Sequence, residues 1–396
     1  MRIVVAHDSV GTEGGVETYL LSVIQALRSR GHQIALLYDR RSAAPGALGS
    51  SAHLAVGVEE RGLDAALTDL HAWRPDVGFS HNMSHLDVDR GLIERWPVVK
   101  MLHGYFGTCV SGLKMHAFPS AQACGRTFGP ACLALYVPRR CGQLAPSAMM
   151  RGYRWASQQQ AIFSRYAAVV VASEHMRREM AGNGVPHDHL RVLPLFSTIN
   201  TESTVKADAI AASGEPDTVL FAGRMTTLKG GDVLIRAAAR ASRLLGRPVR
   251  LLMAGDGPQK DAWRSLAKSL RVELEMTGWI ALEDRARVYG RAVLVAVPSL
   301  WPEPFGLVGL DAAALGRPAI AFDVGGIGEW LTDGVNGKLV EPAAGEQGLA
   351  SALASLLGNA GERERMGRSA LDVSRRMSLA VHIERLEAVL SRIAAT

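Results

Sequence analysis

Two cations, Arg224 and Lys229, stand five positions apart in "GRMTTLKGG", a loop that follows the apolar run "TVLFA". A guanidinium forks onto an anion and an ammonium holds it as a point charge, so the two can clamp a diphosphate. Farther on, "WPEPFGLVGLDAAALGRPAI" sets Glu303 between two prolines, with Asp311 eight positions later inside an apolar run. Between them lie Phe305, Gly306, Leu307 and Val308, where Gly306 allows a ligand close to the backbone. The amides at Gly306, Leu307 and Val308 fall where a helix begins, an anion site with the dipole correctly signed. Glu303 can accept hydrogen bonds from neutral hydroxyls and Asp311 from a second diol. Together they match a sugar on one side of the anion and a ribose on the other. His103, after "VVKML" and before Gly104, has a placement suited to acting on a ligand. Each residue alone has a plainer reading: a surface cation, a helix-start carboxylate, a satisfied buried Asp, a structural histidine.

The cysteines form a second group. Cys109, Cys124, Cys132 and Cys141 are the four in the chain, separated by 14, 7 and 8 residues. Four thiolates can hold zinc or an iron–sulfur cluster, and the absence of a CxxC knuckle favours iron–sulfur over zinc. Inert buried thiols are the alternative. From Arg95 to Ser173 there is no Asp or Glu, while Lys100, Lys114, Arg126, Arg139, Arg140, Arg151, Arg154 and Arg165 fall inside the same span. Such a block suits a phosphate-bearing substrate or an acidic membrane surface, or else a solvated face. Nucleic acid is disfavoured, because no binding motif accompanies the charge.

Elements must bring these residues together. "RIVVAH", "HQIALLYD", "DVGFSH", "WPVVKMLHG" and "AAVVVASE" are apolar runs alternating with helix-like segments. A second series runs through "TVLFAGR", "VRLLMAGDG", "LEMTGWI", "AVLVAVPS", "RPAIAFDVGG" and "NGKLVEP". Strands alternating with helices predict parallel sheets covered on both faces. The expected architecture is α/β, with two Rossmann-like doubly wound domains facing a cleft. Residues 1–195 form the first, with a Cys-rich basic insertion at about 104–155; 196–217 are a linker. Residues 218–375 form the second, and 376–396 an amphipathic helix. Ligands bind beyond the carboxyl ends of such strands, which singles out Gly14, Gly15, His81, His103, Gly223, Arg224, Gly255, Gly278, Glu303, Gly325 and Gly326.

At 396 residues, 48% hydrophobic and 21% charged, the chain is long enough for two cores. Met1-Arg2 leads straight into "IVVAHDS", without the features of a signal peptide, and no apolar run is long enough to span a bilayer. A cytoplasmic location, peripheral at the inner membrane face, is the expectation. "DVD" at Asp87 to Asp89 has the pattern of a metal-binding carboxylate pair, but its polar context argues against that role.

"AGRMTTLKGGDVLI", "LLMAGDGPQ", "MTGWI" and "SLWPEPFGLVGLDAAALGRPAIAFDVGGIGEWLTDGVNGKLV" resemble the donor-domain signatures of family-4 glycosyltransferases, retaining enzymes of the GT-B fold that use nucleotide sugars. The likeness is continuous over residues 218 to 341 and looser in "GGVETYLLSVIQALRSRGHQIALL" and "VVVASEHMRREM". It implies that Arg224 and Lys229 grip the donor diphosphate and Glu303 meets the donor sugar. Asp311, where the family more usually has Glu, would hold the ribose. Gly278, Trp279 and Ile280 would frame a base (uridine, guanosine or adenosine), Gly14 and Gly15 would offer amides, and His103 would lie near the anomeric centre. It also implies that the last helix returns to the first domain and that a donor phosphate oxygen takes the acceptor's proton. The family's usual "PNGVD" is here "PLFSTIN", so contacts made there do not transfer. The function implied is transfer to a glycan or lipid-linked acceptor in surface polysaccharide assembly. A nucleotide-sugar epimerase and a non-catalytic nucleotide-sugar-binding protein are the alternatives. A dehydrogenase is disfavoured, since no GxGxxG follows the first strand.

Overall fold

Ile3–Ala6 and Ala168–Val171 are apolar without alternation, and each run is fully buried. That is the signature of strands covered by helices on both faces. The computed structural model describes residues 1–11, 14–40, 47–199 and 214–395. The chain divides into two compact units, the first made of Met1–Pro119, Cys124–Pro194 and Leu379–Thr396, the second of Ser120–Ala123 and Leu195–Ser378. Most of the polar stretch between the two sheets, residues 200–213, lies outside the described residues.

Among the described residues nine strands precede that stretch: β1 (Arg2–Ser9), β2 (Gln33–Arg40), β3 (Leu54–Gly57), β4 (Val77–Ser80), β5 (Val98–Leu102), β6 (Met115–His116), β7 (Gln122–Ala123), β8 (Ala168–Val171) and β9 (Leu190–Val192). Seven of them form a sheet in the order β3-β2-β1-β4-β5-β8-β9, every pair parallel. The parallel sheet of the second unit has six: β10 (Thr218–Ala222), β11 (Arg250–Ala254), β12 (Glu273–Gly278), β13 (Leu294–Val297), β14 (Ala319–Phe322) and β15 (Gly337–Val340). Their order is β12-β11-β10-β13-β14-β15, again all parallel. Chain direction across each sheet reverses between β1 and β4 and between β10 and β13. These are the switch points where diverging loops open a crevice.

Helix Gly231–Leu245 shows how the second core is built. Leu234, Ile235, Ala238 and Ala241 fall on one buried stripe, and Gly246 in the left-handed region closes the helix. Trp263 lies flat against Gly231, where an added Cβ would come within 2.4 Å of the indole, and meets Phe221 edge to face at 5.4 Å. In the first unit, helix Glu174–Gly182 is capped by Ser173, whose Oγ accepts the Met176 amide at 3.1 Å. The closing helix Leu379–Ala394 buries His382, Ile383, Leu386 and Leu390 in this unit. Its His382 Nε2 bonds Tyr19 Oη at 2.9 Å.

A buried ion pair sits between β4 and β5. Lys100 Nζ reaches Asp89 Oδ2 at 2.7 Å, Ser80 Oγ at 3.1 Å and the His81 carbonyl at 2.5 Å, and all three side chains are buried. Lys100→Met strands the Asp89 carboxylate and should cost about 3–5 kcal/mol in urea unfolding of the first unit. The double variant Lys100→Met/Asp89→Leu should regain most of that loss. Equal midpoints for wild type and the single variant would show that the pair contributes nothing.

Candidate functional site

At the crevice of the second sheet, backbone meets backbone. A Cβ on Gly255 would come within 2.0 Å of the Gly223 carbonyl oxygen, and one on Gly230 within 1.9 Å of the Pro298 carbonyl oxygen. Both glycines have positive φ, a conformation that only glycine adopts at little cost. The amides of Leu300 and Trp301 donate to the Leu228 carbonyl at 2.9 and 3.2 Å. These contacts tie the loop after β10 to the loop after β13, and so bring Lys229 to Glu303. Lys229 Nζ lies 2.5 Å from Glu303 Oε1, which also accepts from Ser299 Oγ at 2.6 Å. The ammonium also sits 5.0 Å from the centre of the Trp301 ring. Glu303 is buried and Lys229 half-buried, whereas Arg224 on the same loop is exposed. The separate sequence assignments of Lys229 to phosphate and Glu303 to sugar did not foresee that the two pair.

Glu303 is held from below by Gly326, whose amide donates to its carbonyl at 2.7 Å, and by the close approach of Gly325. Beyond it, Gly306 takes φ 87° and caps helix Leu307–Ala314. Gly306, Leu307 and Val308 are half-buried, leaving the helix start within reach of a ligand, while Phe305 is buried. Trp330 supports this corner. Its Nε1 donates to the Phe305 carbonyl at 2.7 Å, and its ring fills the space over Gly309, where a Cβ would come within 1.9 Å.

Asp311 is placed differently from Glu303. It is buried, and Oδ1 accepts Ser197 Oγ and the Thr198 amide, each at 2.8 Å. Oδ2 accepts Thr198 Oγ1 at 3.1 Å and lies 3.8 Å from Arg285. Burial raises its pKa, with Arg285 and these hydrogen bonds opposing. A ribose diol would have to displace Ser197 and Thr198 to reach it. At the end of β12, Gly278 adopts φ 73° and its carbonyl accepts the Gly255 amide at 2.7 Å. Trp279 projects at 68% exposure with Ile280 half-buried beside it, so a large aromatic face is open next to the crevice.

In the first unit, Gly14 and Gly15 are exposed at the start of helix Gly15–Ser29. The strand ends carry histidines: His7 on β1, His81 after β4 and His103 after β5. His81 Nδ1 and His103 Nε2 are 2.9 Å apart, one ring donating and the other accepting. Tyr19 packs its ring against both, and against His382. Burial, followed by the nearby charges of His7, Lys100 and His382, lowers the pKa of His103 to about 3. Burial also pushes His81 well below its ordinary value and takes His382 down to about 4. At neutral pH these imidazoles are uncharged donors and acceptors. Both His81 and His103 were marked by strand-end position in the sequence; their pairing was not.

The four cysteines lie in the loop-rich segment after β5 and are free thiols, each half-buried. Cys141 is pushed up to about 11, by burial first and then by the thiols of Cys109, Cys124 and Cys132. Among the described residues no three His, Cys, Asp or Glu stand as a group able to hold a metal ion. The expected zinc or iron–sulfur centre gains no support from this arrangement. "DVD" falls on helix Leu86–Ile93, where Asp89 pairs with Lys100 and Asp87 with Arg90 at 2.7 Å. Two cations of the acid-free span are also not surface groups: Lys100, and Lys114, which is buried against Glu179 at 2.8 Å.

Known proteins resemble this chain along most of its length. Residues 13–196 match the family model described as Glycosyltransferase Family 4, and residues 204–373 the one described as Glycosyl transferases group 1. The D-inositol 3-phosphate glycosyltransferase of Nocardia farcinica is 35% identical over 227 residues, 54% of this chain and 50% of that protein. The alpha-D-kanosaminyltransferase of Streptomyces kanamyceticus is 30% identical over 227 residues, 55% and 57% of the two chains. The chain spans about half the length of these two curated relatives. Among solved structures, Anabaena HepE in complex with UDP superposes with a TM-score of 0.71 at 19% identity, covering 99% of this chain and 100% of that one. Sucrose-phosphate synthase from Thermosynechococcus elongatus gives 0.71 at 18%, covering 100% and 99%. Likeness at such identities speaks to the fold alone. With both halves matched by glycosyltransferase models and both sheets wound in the same Rossmann-like way, the chain belongs to the family-4 glycosyltransferases of the GT-B fold.

Proposed function

We propose that the protein transfers a sugar, with retention, from a nucleoside-diphosphate sugar held by its second unit. The observation that carries this reading is the Lys229–Glu303 contact of 2.5 Å at the β10/β13 switch point, beside the exposed Arg224. An incoming diphosphate competes with Glu303 for the ammonium, meets Arg224 as a bidentate partner and ends on the half-exposed amides at Gly306 to Val308. Glu303, relieved of Lys229, accepts from the donor's sugar hydroxyls. As the sugar–phosphate bond breaks, charge grows on the leaving diphosphate, and in this reading both cations and the helix start stabilise it. The acceptor attacks from the leaving-group face and a donor phosphate oxygen takes its proton, so no side chain is assigned as base. In the first unit His103 offers a neutral hydrogen-bonding group, and in the second Trp279 offers a face for the base to stack on.

The acceptor in this reading is lipid-linked or membrane-presented. Phe118, Val137, Leu144 and Met150 are exposed at 52, 46, 50 and 37%, all within the acid-free span. Arg126, Arg140, Arg151 and Arg154 are exposed in the same span, and the Arg140 guanidinium lies 5.7 Å over the Phe118 ring. Cations beside apolar side chains, without intervening acids, suit an anionic lipid interface. Among the described residues no helix is long and apolar enough to cross a membrane.

Three measurements test these assignments. Calorimetric titration with UDP, GDP and ADP should find one bound best, with Lys229→Ala and Arg224→Ala each weakening it by about 10- to 100-fold. Undiminished binding in both variants would remove the donor assignment. Because the folded pKa of His103 lies below its unfolded value, its contribution to stability is present above about pH 6.5 and lost as pH falls from there toward 3. Thermal midpoints should accordingly fall on acidification below about 6.5, while kcat/KM shows no limb at that pH. A catalytic limb there would mean a titrating imidazole at the centre. Finally, the chain should sediment with vesicles containing phosphatidylglycerol and not with pure phosphatidylcholine, and salt should release it. Equal partitioning to both would leave the basic span without a lipid role.

A further inference from the structure

Beside the ends of β4 and β5, wholly within the first unit, lies a cavity of about 400 Å³, within the range of small-molecule sites. Phe106 and Trp155 form an aromatic corner on its wall, ring centroids 5.7 Å apart and planes 77° to one another. The corner is fixed in place. Trp155 Nε1 donates to the Ser84 carbonyl at 2.9 Å, and the Ser84 amide donates to Asp8 Oδ1 at 2.7 Å. Asp8, Ser84 and His81 are part of its polar lining, with Asn82, Lys100, Ser111 and Gln159. His81 is fully buried, and its Nε2 has no partner among the described residues. A buried ring nitrogen left in this condition costs free energy unless a ligand meets it.

Charge decides what fits. The Lys100 ammonium on the cavity wall is already taken by Asp89, Ser80 and the His81 carbonyl, so it offers an anion nothing. The Asp8 carboxylate repels one, with Arg40 Nη2 at 3.4 Å from its Oδ2 on the exposed side offsetting part of that charge. An aromatic corner instead suits the C–H face of a pyranose, which rests on the negative π surface while hydroxyls at the ring edge reach polar groups. We propose that this cavity binds a neutral pyranose ring, the sugar unit of the acceptor, and in this it rests on the transfer reading above. One hydroxyl donates to Asp8 and another to His81 Nε2. That second bond leaves His81 with its proton on Nδ1, donated to His103 Nε2, and the cavity is thereby joined to His103 by a two-link hydrogen-bond chain.

Saturation-transfer difference NMR of the full chain with the methyl glycosides of glucose, galactose, mannose and N-acetylglucosamine tests this. At least one should take up saturation at its ring protons. Trp155→Ala should weaken that binding roughly tenfold, as loss of an aromatic anchor does, and Trp155→Phe should keep most of it. Asp8→Asn, which preserves volume, should also reduce it. Binding of UDP, GDP and ADP should be the same in wild type and all three variants, which also reports that the chain is folded. Silence from all four glycosides, or transfer indifferent to both Trp155→Ala and Asp8→Asn, overturns the proposal. Nucleotide binding and glycoside binding are read separately, so failure of the donor assignment would leave this result standing, and the reverse.

Discussion

Close approach of main chain to main chain at the strand ends of the second sheet is the constraint on which the candidate site depends. Gly230 against Pro298, Gly255 against Gly223 and Gly325 against Glu303 leave no room for a Cβ. Because the loops after β10, β11, β13 and β14 are pressed together in this way, the long side chain of Lys229 ends at hydrogen-bond distance from Glu303 and not in solvent. The carboxylate is further oriented by Ser299, itself buried. A flexible stem held at its root and its tip loses little further freedom when a ligand arrives, which is the physical content of preorganisation.

The first unit uses burial where the second uses charge pairing. His81, His103 and His382 surround Tyr19 and are kept neutral by being taken out of water. The nearby Lys100 reinforces this for His81 and His103, since a fixed positive charge disfavours a second one. A set of uncharged imidazoles can pass hydrogen bonds along without responding to modest changes in pH. Donor and acceptor roles are then set by geometry alone.

Local spacing carried much of this into the sequence. Arg224 and Lys229 share one loop, and Glu303 and Gly306 another, so strand-end position and residue type were enough to pick them out. The two doubly wound sheets were legible for the same reason, because each strand is a short uninterrupted apolar run. What escaped depends on pairing across long separations. Lys100 and Lys114 read as members of a basic surface, yet each is buried against a carboxylate contributed by another element. Asp311 read as a free acceptor, while its partners Ser197 and Thr198 come from more than a hundred residues away. Those partners lie in "PLFSTIN", the segment that departs from the family pattern, so two departures that looked separate in sequence meet in space. The cysteines, near one another along the chain, stay close enough in space for three of the thiols to raise the fourth, while among the described residues they form no group able to hold a metal ion.

Trp330 and Gly309 bear on how this corner can change over generations. The indole is pinned by its bond to the Phe305 carbonyl and occupies the volume that any side chain at 309 would need. Neither position is free to drift alone. A lineage that acquires even a methyl group at 309 must first shrink or redirect the residue at 330, and with it the peg that steadies the turn into the helix. Substitutions at these two sites should therefore be found together in relatives, as a linked pair of historical events.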